Sequence, residues 1–192
     1  MINKIDAAER QLNTAIRLFF ENRDHLSSYA LAVASREVTD DVIQSRYNEI
    51  YRREFARVGD PLKVHLSYRE QCKDFIKPEF YKDYLNLDHK WQNFLKHADH
   101  DPDAEIEPFS TKLLALVIFT AIRNFILLTQ RQTAEILTFL AWIAAAEPQY
   151  VKPAPEHVMS KVIAEMRSNI LGDPYDPATL ENIYFAITKV LV

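Results

Sequence analysis

The chain has 192 residues, 27 acidic and 23 basic side chains, a formal net charge of −4, 48% hydrophobic residues, nine prolines, two glycines and one cysteine. At about 100 to 200 residues per domain this reads as one domain, residues 1–192, large enough to bury about 70% of its unfolded surface without disulfides or metal. Average usage would place about thirteen glycines in this length, so having only Gly59 and Gly172 argues against hairpin-rich sandwiches and barrels and against the phosphate loops of Rossmann and P-loop folds.

The acidic balance lacks the global basic character of nonspecific nucleic-acid binders. A local patch stays open, because Arg46, Arg52, Arg53 and Arg57 fall close together, but they alternate with Glu49 and Glu54, which reads as a salt-bridged exposed face more than a nucleic-acid stripe. The first residues, MINKIDAAERQLN, carry charge throughout and lack the apolar core of a secretory signal. Cys72 has no second cysteine to pair with, which fits a reducing, cytoplasmic setting. The longest apolar run, Leu113 to Leu128, holds Arg123 and Asn124 and is shorter than the roughly 20 residues of a membrane span, so a buried helix and no membrane partner are expected.

In chain order, Ile5, Ala8, Leu12, Ile16 and Phe19 recur every three or four residues and predict a helix over about residues 3–22. Ser27 or Ser28 is placed to cap the next helix, which carries Ala30, Leu31, Ala34 and Val38. Thr39 followed by two aspartates reads as a fresh first turn. A third helix with Ile43, Tyr47, Ile50, Tyr51, Phe55 and Val58 then stops at Gly59-Asp60-Pro61. Residues 62–68 alternate like a strand but have no partner strand, so they read as a connector. A short helix over about residues 68–76 precedes one that begins near Pro78 and runs to about Ala98, with Tyr84, Leu87, Trp91, Phe94 and Leu95 on its apolar side.

Ser110 is placed to cap a stretch that is apolar on nearly every face from Leu113 to Ala146. Thr129 and Gln132 have capping-box spacing, so the stretch is a helical hairpin or one notched helix. Its apolarity also suggests a homo-oligomer. Pro148, Pro153 and Pro155 mark a linker, a helix follows to Leu171-Gly172, and Asp176-Pro177 opens the last one. The expected fold is all-α: a bundle of seven to nine helices around an apolar central hairpin. Tyr47, Tyr51, Phe55, Tyr81 and Tyr84 are expected in its core.

The densest polar cluster runs from Lys96 to Glu107. On a helical wheel with His89 at zero, Asn93, Lys96, His97 and His100 fall within about 80° of it, whereas Trp91, Phe94 and Ala98 lie opposite. The functional reading of this face is a site at the helix C-terminus, where the dipole favours cationic histidine and the following loop supplies carboxylates; a solvated face is the bland alternative. Asp99, Asp101 and Asp103 match the first three ligand positions of a calcium loop. Ala104 and Ser110 stand where that loop needs glycine and glutamate, which rejects it. A zinc site from His97 and His100, with Asp101 or Asp103, lacks any supporting motif.

The pair His100-Asp101 resembles the central dyad of the metal-dependent HD-domain phosphohydrolases, with His65 upstream and Asp173 or Asp176 downstream. The resemblance implies a divalent metal held by His65, His100 and Asp101 and hydrolysis of a phosphate ester, of a nucleotide for example. Pro102, directly after the dyad, departs from that family, which continues its helix there, and His65 falls in a connector. Arg123-Asn124 on an apolar helix resembles half of the Arg-x4-6-His motif of HEPN-type ribonucleases, which implies an RNA-associated or toxin-antitoxin-type protein. Leu128, Thr129 and Gln130 occupy the histidine positions, so the catalytic half is missing. The reading with fewest demands is a buried polar pair or a dimer contact. Residues Glu9 to Phe20 with their continuation through Ser35-Arg36-Glu37-Val38, and Asn93 to Asp101, are similar to stretches of small uncharacterised bacterial all-helical proteins. That likeness covers about a quarter of the chain and implies a bacterial cytoplasmic protein, without an activity, and it makes Asn93, Lys96, His97 and Asp99 the candidate binding residues. No complete catalytic motif is present, so the leading expectation is a protein that works by binding or assembly, with no cofactor, and with a protein partner as one form of that assembly.

Overall fold

A computed structural model describes residues 1–61, 64–73, 76–97, 102–108, 110–147, 170 and 173–191. Among these lie eight helices and no strand: α1 (Lys4–Phe20), α2 (His25–Ser45), α3 (Tyr47–Val58), α4 (Tyr68–Cys72), α5 (Pro78–Lys96), α6 (Thr111–Thr129), α7 (Ala134–Ala146) and α8 (Pro177–Leu191). The all-α expectation is borne out. The helix anticipated between Pro155 and Gly172 lies outside the described residues.

The helix starts follow local hydrogen-bond chemistry. Asn3 accepts from the Asp6 amide at 2.8 Å to open α1, which buries Leu12, Ala15, Ile16, Phe19 and Phe20 on one stripe. Asp24, not a serine, caps α2 by accepting from the Ser27 amide at 3.0 Å. Ser28 instead donates to the Ala15 carbonyl at 2.8 Å and ties α2 to α1. Nor does α2 stop at Thr39, whose hydroxyl donates back to the Ser35 and Arg36 carbonyls. The side chain is satisfied inside the helix, so the two aspartates that follow do not begin a new one. Gly59 ends α3 at φ 73°, with its amide on the Phe55 carbonyl at 2.8 Å. That left-handed geometry suits a residue without Cβ.

After the connector, Ser67 and Glu70 form a reciprocal capping box that opens α4. Burial raises the Glu70 carboxyl, but the backbone and side-chain hydrogen bonds from Ser67 outweigh it and hold the carboxyl below its ordinary value. Pro78 stands in the first turn of α5, and Ser110 caps α6 through the Leu113 amide. The hairpin form of the central region is observed. Gln130 adopts φ 58° past the end of α6, and Thr133, not Thr129, caps α7. Asp176 accepts from the Thr179 amide at 3.0 Å to start α8.

Most buried apolar side chains form one core drawn from α1, α2, α5, α6, α7 and α8. Its densest part is an aromatic knot of Phe19, Phe20, Phe139 and Trp142, with edge-to-face pairs such as Phe19–Trp142 at 5.0 Å. A smaller cluster of Ile43, Ile50, Leu66 and Leu128 sits beneath α3 and the connector. By length and composition α6 is apolar enough to cross a membrane, with a mean hydropathy of 1.8 over its best window. Two-thirds of that window is buried inside the protein, and α6 packs against α1, α2, α4 and α7. Most of the apolar surface of α6 is therefore covered by the chain's own helices.

Candidate functional site

Two groups of polar side chains meet α6 on successive turns. The first is closed. Arg36 of α2 and Asp88 of α5 are each 1% exposed and joined at 2.8 Å. Asp88 also accepts from the Tyr29 hydroxyl at 2.7 Å and from Gln92 Nε2 at 3.1 Å, while Arg36 Nη1 donates to Thr120 Oγ1 at 3.3 Å. The carboxylate thus receives three donors in a dry interior, the condition under which a buried ion pair is tolerated. Burial and, next, the Asp88 charge push the Tyr29 phenol far above its ordinary value, and the same two causes act in the same order on Tyr84. Sequence reading passed over Asp88, although it stands on the stripe Tyr84, Asp88, Trp91 that α5 buries. An acid inside an apolar stripe was the available signal, as was Arg36 in line with Tyr29, Ala32 and Val33.

The second group is open. A cleft of about 300 Å³ is walled by Glu54, Arg57 and Val58 of α3, Val64 and His65 of the connector, Gln71 of α4, and Arg123, Ile126, Leu127 and Gln130 of α6. The connector turns in here because Leu66 is buried beneath it, and the Ser67–Glu70 capping box fixes the start of α4. Gln71 Nε2 donates to Asn124 Oδ1 at 2.7 Å and to the Leu66 carbonyl at 3.3 Å, which locks α4 to α6 behind the cleft. Asn124 is fully buried. Half of the anticipated Arg123-Asn124 pair is thus a cross-bundle hydrogen bond, and Arg123 turns to the cleft, its guanidinium 5.9 Å from the centre of the Phe119 ring. Glu54 is buried and takes Arg53 Nε at 3.1 Å and both Nε and Nη2 of Arg57 at 2.9 and 2.7 Å. Arg53 continues to the Leu127 carbonyl at the end of α6. The charged face of α3 is salt-bridged and largely exposed, with one exception: Glu54 turns inward, while the Arg53 and Arg57 side chains that hold it are 37% and 71% exposed.

The structure distributes the other sequence candidates differently. Asn93 is exposed, with its amide nitrogen 3.2 Å from His89 Nε2. Lys96 is exposed and ion-paired with Glu37 across to α2. Exposed His97 forms the C-cap of α5, its backbone amide on the Asn93 carbonyl at 3.0 Å. The polar face read from the wheel is real and solvated at these positions. Asp99, His100 and Asp101 lie outside the described residues, and His65, their upstream companion in the metal reading, lies in the cleft beside Arg123. Among the described residues no three histidine, cysteine, aspartate or glutamate side chains gather closely enough to hold a metal ion. Cys72 is buried, as expected. Tyr47 and Phe55 correct the core expectation: they are 45% and 42% exposed and stack against Tyr51 at 5.9 and 6.2 Å.

The fold and the cleft together define an all-α protein with a recess between three helices that is part polar and part apolar. No family model, no curated protein and no solved structure matches the chain.

Proposed function

We propose that this is a cytoplasmic protein that works by binding, and that the recess between α3, α4 and α6 is where it takes a small molecule. The observation that carries this reading is the meeting, in about 300 Å³, of guanidinium, imidazole and carboxamide groups with the apolar walls of Val58, Val64, Ile126 and Leu127. A cavity of that size with a few polar groups set in apolar walls is the usual form of a ligand site. Ligand-observed NMR against a mixed fragment library, followed by amide mapping on the full chain, tests it. Hits should perturb Val64, Gln71 and Ile126, and hits that map only elsewhere overturn the reading. The mapping is repeated with and without added divalent cation. Binding or phosphate-ester hydrolysis that requires the metal and is lost in His65→Ala would favour the hydrolase alternative.

A second reading, self-association, has its own support. The stacked ridge Tyr47–Tyr51–Phe55 leaves two aromatic rings more than two-fifths exposed on one helix. Stacking covers Tyr51 on both faces, while Tyr47 and Phe55 each keep one face outside the stack. An exposed aromatic ridge supports apolar contact with another protein surface, and the net charge of −4 weighs against a base-stacking, RNA-associated role.

A further inference from the structure

We infer that the recess takes an uncharged hydrogen-bond donor, an amide-type N–H on a short apolar body, and that Gln71 Oε1 is the atom that receives it. The inference rests on the binding reading above and adds the chemistry of the ligand.

The orientation of Gln71 follows from its neighbours. Its Nε2 lies 3.3 Å from the Leu66 carbonyl and 2.7 Å from Asn124 Oδ1. A backbone carbonyl can only accept, so it fixes which end of the glutamine amide is nitrogen. The second N–H of that nitrogen then fixes Asn124 with its oxygen toward Gln71. Both donors of Gln71 are thereby used. Its remaining polar atom, Oε1, accepts from no described residue and is not among the polar atoms sealed from solvent. Because Gln71 is 3% exposed and lines the recess, what it presents there is an acceptor immobilised by two hydrogen bonds.

The cost of this arrangement falls on Asn124. Its side chain is fully buried on α6, and Nδ2 has no hydrogen-bond partner among the described residues. Two N–H donors are thus kept from water without compensation, a cost that an apolar side chain would avoid. A buried orphan of this kind calls for a reason. The bond that Asn124 does make supplies one, since it turns the Gln71 carboxamide. With Asn124 replaced, only the longer bond to Leu66 would restrain that group, and Oε1 would no longer be held in place. Asn124 is therefore a positioning residue for Gln71.

A fixed amide oxygen selects for a donor. A ligand atom that carries a lone pair in place of N–H would face Oε1 with repulsion and leave it unpaired. An ammonium brings three donors and strong hydration, which one amide oxygen does not replace. An uncharged N–H needs only one acceptor. Val58, Val64, Ile126 and Leu127 supply apolar walls around it, and about 300 Å³ is at the small end for ligand sites. One ring or a short chain suits that space.

The test uses the full chain and four probes: benzamide, acetophenone, in which a methyl group replaces the amide nitrogen, benzylamine and acetamide. Affinity is followed by isothermal titration and located by amide mapping. Benzamide should bind in the recess about tenfold more tightly than acetophenone, the size of one hydrogen bond left unmade against a buried acceptor. Gln71→Met and Asn124→Leu should each reduce that preference to less than threefold, mainly by weakening benzamide. Because the comparison of benzamide with acetophenone needs no variant, it decides the donor requirement even if a variant misfolds. Equal binding of the two probes in the recess, or a preference that survives both substitutions, overturns the donor inference and leaves the binding reading standing. Benzylamine binding as tightly as benzamide would overturn the uncharged head, and acetamide doing so would overturn the apolar body. If none of the four probes perturbs the recess, the donor inference fails. The fragment library then decides the broader reading separately.

Discussion

The two polar regions on α6 use the same kinds of side chain under opposite conditions. At Thr120 an arginine meets one aspartate, two tyrosines and a glutamine in a dry interior, and Arg36 and Asp88 are each 1% exposed. One turn further on, Arg123 belongs to a recess open to solvent, where Arg57 is 71% exposed. The low dielectric of the first region makes every partner obligatory, because a lone charge there has no water to turn to. The second does not need every partner fixed in place, because water solvates and screens the charges at its mouth. A polar group's surroundings, more than its identity, thus separate a clasp from a site.

The sharpest way to break this comparison is to remove charge from the closed region. Asp88→Asn keeps the shape but leaves Arg36 buried opposite a neutral amide. Deleting one partner of a buried pair costs about 3–5 kcal/mol, and urea unfolding monitored by circular dichroism should show a loss of that order. The double variant Arg36→Met with Asp88→Leu should recover most of it, since an apolar pair of similar volume carries no desolvation cost. A loss below about 1 kcal/mol for Asp88→Asn would mean that solvent reaches the clasp.

The apolar half of this architecture was legible because helices declare themselves by period. The stripe through Ile5, Leu12, Ile16 and Phe19, the proline at the start of α5 and the glycine after α3 each map onto an observed boundary or face. Thr39 misled because a hydroxyl that bonds back to its own helix looks, in sequence, like one that caps the next. The polar half was legible only in pieces. His65 and Arg123 were both singled out, for unrelated reasons, and nothing in their 58-residue separation announces that α4 packing on α6 draws them into one recess. Arg57 and Glu54 read as a solvated helix face, because burial of Glu54 depends on the far end of α6 reaching α3. Aromatic residues at helical spacing were expected inside, yet two of the three on α3 face outward. Periodicity identifies a face, but which face a neighbour covers is a tertiary fact.

A smaller effect sharpens the comparison through pH. The Tyr29 phenol is raised by burial first and then by Asp88, and Tyr84 is raised by the same causes. In the unfolded chain both titrate near pH 10. Stability from keeping them protonated is therefore complete below pH 10 and is lost as pH rises from there toward the folded values. Each group contributes a slope of about 1.4 kcal/mol per pH unit in that window. In alkaline unfolding followed by circular dichroism, Tyr29→Phe should reduce the slope by about one proton, and the part of the tyrosinate absorbance that Tyr29→Phe removes should rise only as helix is lost. Tyrosinate absorbance that rises fully near pH 10 while the fold persists would show that the clasp is wet.

The least effect is expected in the open region, and its smallness is the informative result. Arg57→Met removes a side chain that is 71% exposed and one of two arginines on Glu54, so Arg53 still compensates the buried carboxylate. Exposed ion pairs contribute about 0–1 kcal/mol, and the urea midpoint should move within that range, several times less than for Asp88→Asn. A side chain at the recess that costs little to remove is not placed there by the needs of the fold. A stability loss comparable to that of Asp88→Asn would reverse the assignment. It would make the Glu54 clamp a second structural clasp, with the recess a by-product of how α3 is fastened to α6.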